Sequence, residues 1–368
     1  MNIKYNFKQE HHEIFDFLRG LAIFLVFINH IPYNDYLLNS NYSKTVINIF
    51  LFGTYGVQLF YIVSAVTLFL SLTKRNEKNF KNFFIRRFFR IAPIFYIGII
   101  IHIIYYSYFS EYVGNLNIIN ILLNFTFTNN FIPPSEDLIY GGSTITTEMN
   151  FYFMLPLLFL LIKTYRKILI FIFLYLLILV FLNYIFNFIF DNKTFGDANF
   201  YRTIFVQLLV FSLGICLFFI HKDYFLQKRE IKKIYLKDLF LKIAPFIMLC
   251  LFIFFYGKLY EEYFYFRNMF LVSIMFFLMI NILILFLKII EDSLLFKFFC
   301  KLGRISYSFY ILHWITIHVS WEILKNLNYF NNFLIFFILF SFLITYFFSF
   351  FFSKLEFFFI KLGKRFTN

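Results

Sequence analysis

Ten apolar runs long enough to cross a bilayer recur along this chain, separated by clusters of charge, near residues 17–32, 47–72, 91–109, 148–162, 168–190, 203–220, 239–256, 268–287, 305–324 and 332–353. A hydrocarbon core about 30 Å thick needs roughly 20 apolar residues when spanned as helix. Within it every backbone N–H and C=O has to be paired internally, which leaves helices or closed barrels. Runs of this length select helices. The chain has 368 residues, 61% of them hydrophobic, and a mean hydropathy of +0.75, which leaves no stretch for a soluble domain of useful size. The expected fold is an all-α polytopic integral membrane protein with about ten transmembrane helices, organised as a single domain over 1–368. Aromatic stripes say little here, because 65 Phe and 27 Tyr are spread through the whole chain.

Charge sets the expected topology. With a cytoplasmic N-terminus and strict alternation, the inner segments hold 28 of the 34 Lys and Arg residues. The outer segments keep only Lys44, Lys193, Arg202, Lys258, Arg267 and Lys325. That asymmetry is the positive-inside pattern and places both termini in the cytoplasm. The net charge of +14 is then topology plus attraction to anionic lipid, and no aromatic-interleaved basic domain points to nucleic acid. The first run lacks a small-residue cleavage site and is expected to stay as a span. Cys216, Cys250 and Cys300 are too few and scattered for a disulfide framework or metal site and read as structural thiols. No metal-ligand pair stands at helical spacing and no glycine-rich phosphate loop is present. The longest outer segment, 110–147, carries a semi-apolar run from Asn120 to Phe127 and then Pro133-Pro134, which reads as a surface or re-entrant helix followed by a turn.

Against this apolar background a few polar groups stand out. Arg19 and His30 are eleven residues apart on the first run. At about 100° and 1.5 Å per residue they share one helix face, about 16 Å apart along the axis. A cation and an imidazole on one intramembrane stripe mark a functional site facing a protein-lined cavity. Arg86, Arg87 and Arg90 cluster at the start of the third run, with Arg87 and Arg90 one turn apart. Two guanidiniums so placed suit one phosphate group, and equally suit an anchor touching lipid headgroups. The segment from Gly56 to Ala65 has small residues that favour close helix packing. Glu148 stands at the start of the fourth run with no cation nearby in sequence, so it pairs across the bundle, caps a helix N-terminus or does proton chemistry. In the ninth run Ser306, Tyr310 and His313 share a face, beside Tyr307, and can form a hydrogen-bonded ladder or simply hold helices together.

Together these segments resemble the acyltransferase-3 membrane family. The resemblance rests on Asp16-x-x-Arg19-Gly20 followed by His30, on Gly56-Val57-x-Leu59-Phe60 before Ser64, and on Arg87-x-x-Arg90-Ile91-x-Pro93. It also rests on Thr144 four residues before Glu148 with Phe151-Tyr152, and on Leu302-Gly303-x-x-Ser306-Tyr307-x-x-Tyr310-x-x-His313. The distinctive parts cover roughly the first 155 residues and 302–314. What the resemblance implies is transfer of an acyl group, commonly acetyl from acetyl-coenzyme A as donor substrate, to a hydroxyl of an extracytoplasmic or lipid-linked glycan. It also implies a multi-pass protein of a bacterial inner membrane with no permanently bound cofactor. By resemblance, Arg19 and His30 match the family's essential Arg and His, Arg87 and Arg90 its donor-binding pair, and Glu148 its acidic residue. Two positions depart from the family pattern: Ser143 stands where Trp is usual, and Ala65 where Gly is usual.

The residue types fit that chemistry. Histidine takes and returns a proton near neutral pH, so His30 is expected to act as general base on an incoming hydroxyl or to accept the acyl group transiently. Glu148 would orient or charge-balance the imidazole, and Tyr307 or His313 would supply a hydrogen bond to the developing oxyanion. The other readings are a carrier of a lipid-linked sugar or small organic anion, which would use Arg19, His30 and Glu148 as substrate and proton sites, and a polyprenyl-sugar glycosyltransferase. The first lacks an evident inverted repeat. The second lacks paired acidic residues in the first outer loop, which offers only Asp35.

Overall fold

The computed structural model describes residues 10–31, 44–75, 80–109, 116–131, 136–189, 202–226, 239–248, 264–325 and 333–367. Helix accounts for 90% of these residues and no strand occurs among them. The helices are α1 (Glu10–His30), α2 (Lys44–Phe52), α3 (Gly56–Arg75), α4 (Phe80–Phe109), α5 (Ile118–Phe125), α6 (Gly142–Leu161) and α7 (Tyr165–Ile189). They continue with α8 (Ile204–Ile220), α9 (Lys222–Phe225), α10 (Leu239–Met248), α11 (Phe264–Ile290), α12 (Leu294–Arg304), α13 (Ser306–Leu324) and α14 (Phe333–Arg365). A 3₁₀ turn, Gly53–Tyr55, joins α2 to α3.

Each of the ten apolar runs coincides with a helix, as far as the described residues reach. Among the described residues, five stretches are long and apolar enough to cross a membrane: Val46–Arg75, Phe80–Tyr108, Gly142–Leu161, Asn268–Ile290 and Phe333–Arg365. Two helix starts differ from the hydropathy reading. Helix α4 begins at Phe80, eleven residues before the third apolar run, so Arg86, Arg87 and Arg90 lie on the helix itself. Helix α6 begins at Gly142, so Glu148 sits well inside it and does not cap its N-terminus. Gly141 holds the N-cap position, and Asp137, from the preceding segment, accepts at Oδ2 from the first-turn Ser143 backbone N–H at 2.9 Å. The expected outer helix appears as α5, capped by Asn117, whose side chain accepts from the Asn120 backbone N–H. Pro133, Pro134, Asp35 and Cys250 lie outside the described residues.

Helix α14 carries its polar residues on the buried face and its greasy ones on the exposed face, the reverse of a water-soluble helix. On α14, Ser341, Thr345, Ser349, Glu356 and Gly363 recur at spacings of four and seven and are all buried. Phe336, Leu339, Leu343, Phe347, Phe350 and Phe351 on the other face are exposed. Small and hydroxyl side chains let helices approach closely in hydrocarbon and bond across the gap, as Thr316 and Thr345 do at 2.6 Å. Cys216 and Cys300 are free and buried, and Cys300 donates to the Glu13 carbonyl at 3.3 Å.

The tightest crossing is between α1 and α12, the most extensive helix pair in the bundle. A Cβ on Gly20 would overlap the Phe299 carbonyl, and one on Gly303 would overlap the Asp16 carbonyl. Each glycine thus clears the other helix's backbone, and the crossing brings Asp16 against Arg304. Replacing Gly303 by Ala forces the helices apart, a strain of about 1–3 kcal/mol. The Gly303→Ala protein is expected to unfold in detergent several degrees below wild type, whereas an unchanged Tm would place the crossing elsewhere.

Candidate functional site

A cavity of about 60 Å³, lined by both charged and apolar side chains, lies between α1, α3, α4, α6 and α13. Arg19, Arg90 and Glu148 line it together with Ser64, Tyr152, Ser306, Tyr307 and Tyr310. Residues scattered over 290 positions of sequence are therefore neighbours.

A chain of hydrogen bonds explains how the charges are tolerated there. Arg304 approaches Glu13 at 3.8 Å and Asp16 at 3.3 Å from the α12 side of the glycine crossing. Asp16 also meets the Arg19 guanidinium at 3.4 Å. The second Arg19 Nη donates to Thr67 Oγ1 at 3.3 Å, and Thr67 donates to the Ser64 carbonyl at 3.1 Å. Ser64 Oγ donates to Glu148 Oε1 at 2.7 Å, and the Tyr152 hydroxyl donates to the same oxygen at 2.7 Å. Glu148 therefore pairs across the bundle with α3, one of the roles its position in sequence left open. A carboxylate holding two hydroxyl hydrogens opposite guanidiniums is the arrangement that makes buried charge bearable.

The small residues of α3 carry both packing and chemistry. A Cβ on Gly56 would come within 2.5 Å of the Ala22 carbonyl oxygen, so α3 lies tight against α1. Ala65, where the family usually has Gly, packs against Gly214 of α8. Ser64, one residue earlier, is the donor to Glu148.

The three arginines of α4 separate. Arg90 faces the cavity, with Glu356 and Glu148 as its counter-charges. Arg87 lies over the rings of Phe83 and Tyr152, at 5.6 and 5.9 Å from their centroids, a cation–π contact on the cavity wall. Arg86 is half-buried one position away and does not line the cavity. Pro93 and Pro156 each lack the N–H that would bond four residues back, at Phe89 and Tyr152, so both helices give up a bond beside the site.

His30 does not line the cavity. It sits beyond Tyr310, whose ring meets that of His313 at 5.4 Å. The His30 and His313 rings are 5.0 Å apart, tilted by 40°. On another side His30 stands edge-on to Tyr140 and Trp314, at 5.1 and 5.2 Å, both at 89°. Tyr140 and Trp314 are themselves stacked at 3.6 Å and 4°. This aromatic surface adjoins the chain reversal at Gly141, whose left-handed φ of 79° brings its carbonyl to the Tyr310 hydroxyl at 2.8 Å. Ser143 lies just beyond, its carbonyl accepting from Asn130 at 2.7 Å.

The hydrogens of the ninth-run residues are already placed. Tyr307 donates to the Ile91 carbonyl at 2.8 Å, and Tyr310 to Gly141. His313 Nδ1 lies 2.6 Å from the Tyr310 carbonyl. Neither Tyr307 nor neutral His313 thus has a free hydrogen for an oxyanion, and Ser306, Tyr310 and His313 share a face without a side-chain ladder among their described bonds.

Glu356 escaped the sequence reading. It is 5% exposed, accepts from Ser308 Oγ at 2.8 Å, and stands opposite Arg90. In sequence it sits among Lys354, Lys361, Lys364 and Arg365 and reads as part of a cytoplasmic charge cluster. Its one signal is spacing: it continues the Ser341, Thr345, Ser349 face. Tyr140 and Trp314 carry no signal above the aromatic background.

A family model described as an acyltransferase domain matches residues 12–354, nearly the whole chain. Comparisons with curated proteins and with solved structures found no match. The chain belongs to the acyltransferase-3 family, membrane proteins that transfer acyl groups.

Proposed function

We propose that this protein is an O-acyltransferase of a bacterial inner membrane that moves an acetyl group from cytoplasmic acetyl-coenzyme A to a hydroxyl of an extracytoplasmic or lipid-linked glycan. The observation that carries this reading is the convergence of Arg19, Arg90 and Glu148 on one cavity whose wall, Tyr310, touches the ring cluster holding His30. An anionic donor with a long narrow arm suits that layout. Arg87 and Arg90 bind the donor's phosphates, with Arg86 beside them. The arm passes Arg19 along the α1 stripe, and the thioester comes to His30 about 16 Å further on.

His30 then takes the proton of the acceptor hydroxyl as the oxygen attacks the thioester carbonyl, and returns it to the leaving thiolate. A two-step route through an acyl-histidine uses the same placement. Glu148 balances the guanidiniums rather than touching His30, because its bonds run to Ser64 and Tyr152.

The test is label transfer from acetyl-labelled acetyl-coenzyme A to envelope glycans by the purified protein in proteoliposomes. Wild type is expected to place label on a glycan, and His30→Ala to lower turnover by about 10²–10⁴-fold while remaining folded. Wild-type turnover in that variant removes His30 from catalysis; no donor cleavage by folded wild-type protein points to a carrier. Changing Arg87 and Arg90 to Gln is expected to raise the donor KM on the order of tenfold to a hundredfold, the worth of lost charge-assisted phosphate bonds. An unchanged donor KM makes the pair a membrane anchor.

Both termini lie in the cytoplasm in this scheme. In a background without Cys216, Cys250 and Cys300, Lys167→Cys and Arg365→Cys are expected to react with an impermeant thiol reagent from the cytoplasmic side, and Lys325→Cys from the outside. The opposite pattern inverts the donor and acceptor faces.

A further inference from the structure

We infer that His313 is a positioning residue for His30, its Nε2 accepting a hydrogen bond from the His30 ring in the imidazolium formed when His30 takes a proton. The inference rests on the reading of His30 as general base and adds a partner that orients it.

The direction of bonding at His313 settles its tautomer. A carbonyl oxygen only accepts, so the 2.6 Å contact between Nδ1 and the Tyr310 carbonyl places the hydrogen on Nδ1. A neutral imidazole has one N–H, so Nε2 keeps its lone pair. His313 is fully buried, and its Nε2 has no hydrogen-bond partner among the described residues. A buried acceptor left open is unfavourable unless some state of the protein fills it. Among the described residues two rings adjoin His313, those of Tyr310 at 5.4 Å and His30 at 5.0 Å between centroids; the Tyr310 hydroxyl is already given to Gly141, which leaves His30 as the adjoining ring that can donate. The stacked Tyr140 and Trp314 rings hold the other side of His30 edge-on, so its ring is confined between an aromatic wall and the His313 ring.

The proton balance needs no further reactant. The acceptor hydroxyl gives its proton to one His30 nitrogen while its oxygen bonds to the thioester carbonyl carbon. The other His30 nitrogen, which carries the hydrogen of the neutral ring from the start, donates it to His313 Nε2 as the ring becomes cationic. The C–S bond breaks, the thiolate takes the proton from His30, and the products are the ester and free thiol. His313 stays neutral throughout and serves as an acceptor in the way a carboxylate does in other base–histidine pairs.

Two polar substitutions separate the two ring nitrogens. In His313→Gln the side-chain carbonyl falls near the Nε2 position and keeps an acceptor for His30. In His313→Asn the amide falls near Nδ1, keeps the bond to the Tyr310 carbonyl and leaves nothing at Nε2. Assayed with acetyl-coenzyme A in proteoliposomes beside wild type and His30→Ala, Asn is expected to lower kcat about 100-fold and Gln less than about tenfold, with donor KM within about twofold for both. A wild-type kcat in the Asn variant, or equal losses in both, overturns the assignment. A nitrogen-15 histidine spectrum of the wild-type protein, assigned with His313→Gln, is expected to show His313 protonated at Nδ1; protonation at Nε2 overturns it regardless of rates. Wild-type protein that transfers no acetyl, or His30→Ala that keeps full turnover, instead removes the catalytic reading on which the inference stands.

Discussion

A guanidinium inside a bilayer has to be surrounded, and the surroundings of Arg19 organise much of this structure. Its side chain is only 23% exposed, so most of its solvation comes from the protein: its hydrogens go to Asp16 and Thr67, and its charge is answered by Asp16 and Glu148. Each partner needs a partner in turn. Asp16 is held by Arg304, Thr67 donates to the backbone at Ser64, and the Ser64 hydroxyl and Tyr152 hold Glu148. The network ties α1, α3, α6 and α12 together with bonds whose removal would leave charge exposed to hydrocarbon. The Arg304 end is more than half exposed and its ion pairs are worth at most about 1 kcal/mol each, whereas losing a hydroxyl bond to Glu148 at the inner end costs about 1–3 kcal/mol.

The helix crossings are the mechanical side of the same requirement. Bonds near 3 Å between helices demand that backbones approach closely, and Gly20, Gly303, Gly56 and Gly214 permit it. The lipid-facing surfaces, crowded with Phe, Leu and Ile, add little specificity because lipid is as apolar as they are. Specific structure is carried by the polar inner faces, of which the serine, threonine and glutamate face of α14 is the longest. Glu356 extends that logic to the α4 side, where it answers Arg90 as Glu148 answers Arg19.

Much of this was legible in the sequence, and the misses have physical causes. Hydropathy located the ten helical segments because a bilayer filters length and polarity so strongly. It misplaced the starts of α4 and α6, since amphipathic and polar turns that precede the apolar part carry no hydropathy signal. Glu148 read as a possible N-terminal carboxylate for that reason, whereas Gly141 holds the N-cap position and Asp137, from the preceding segment, accepts from the first-turn Ser143 N–H. Arg19 was identifiable as an intramembrane charge, Arg90 as part of the basic cluster at the start of the third run and Glu148 as the carboxylate at the start of the fourth, and the structure brings all three to one cavity. Their partners Thr67, Ser64 and Tyr152 were not assignable, because a bond between residues 84 positions apart depends on tertiary packing. The oxyanion role considered for Tyr307 and His313 does not fit the direction of their bonds. Tyr140 and Trp314 were invisible in a chain with 26% aromatic residues.

The central claim is that one donor molecule lies along α1, phosphates at Arg87 and Arg90 and acyl carbon at His30. A cryo-electron microscopy structure in nanodiscs with a thioether analogue of acetyl-coenzyme A tests it most directly. The account predicts phosphate density against the two guanidiniums and the acyl carbonyl within about 3.5 Å of the His30 ring. Phosphates bound at other basic residues, or an acyl end that never reaches His30, would contradict it.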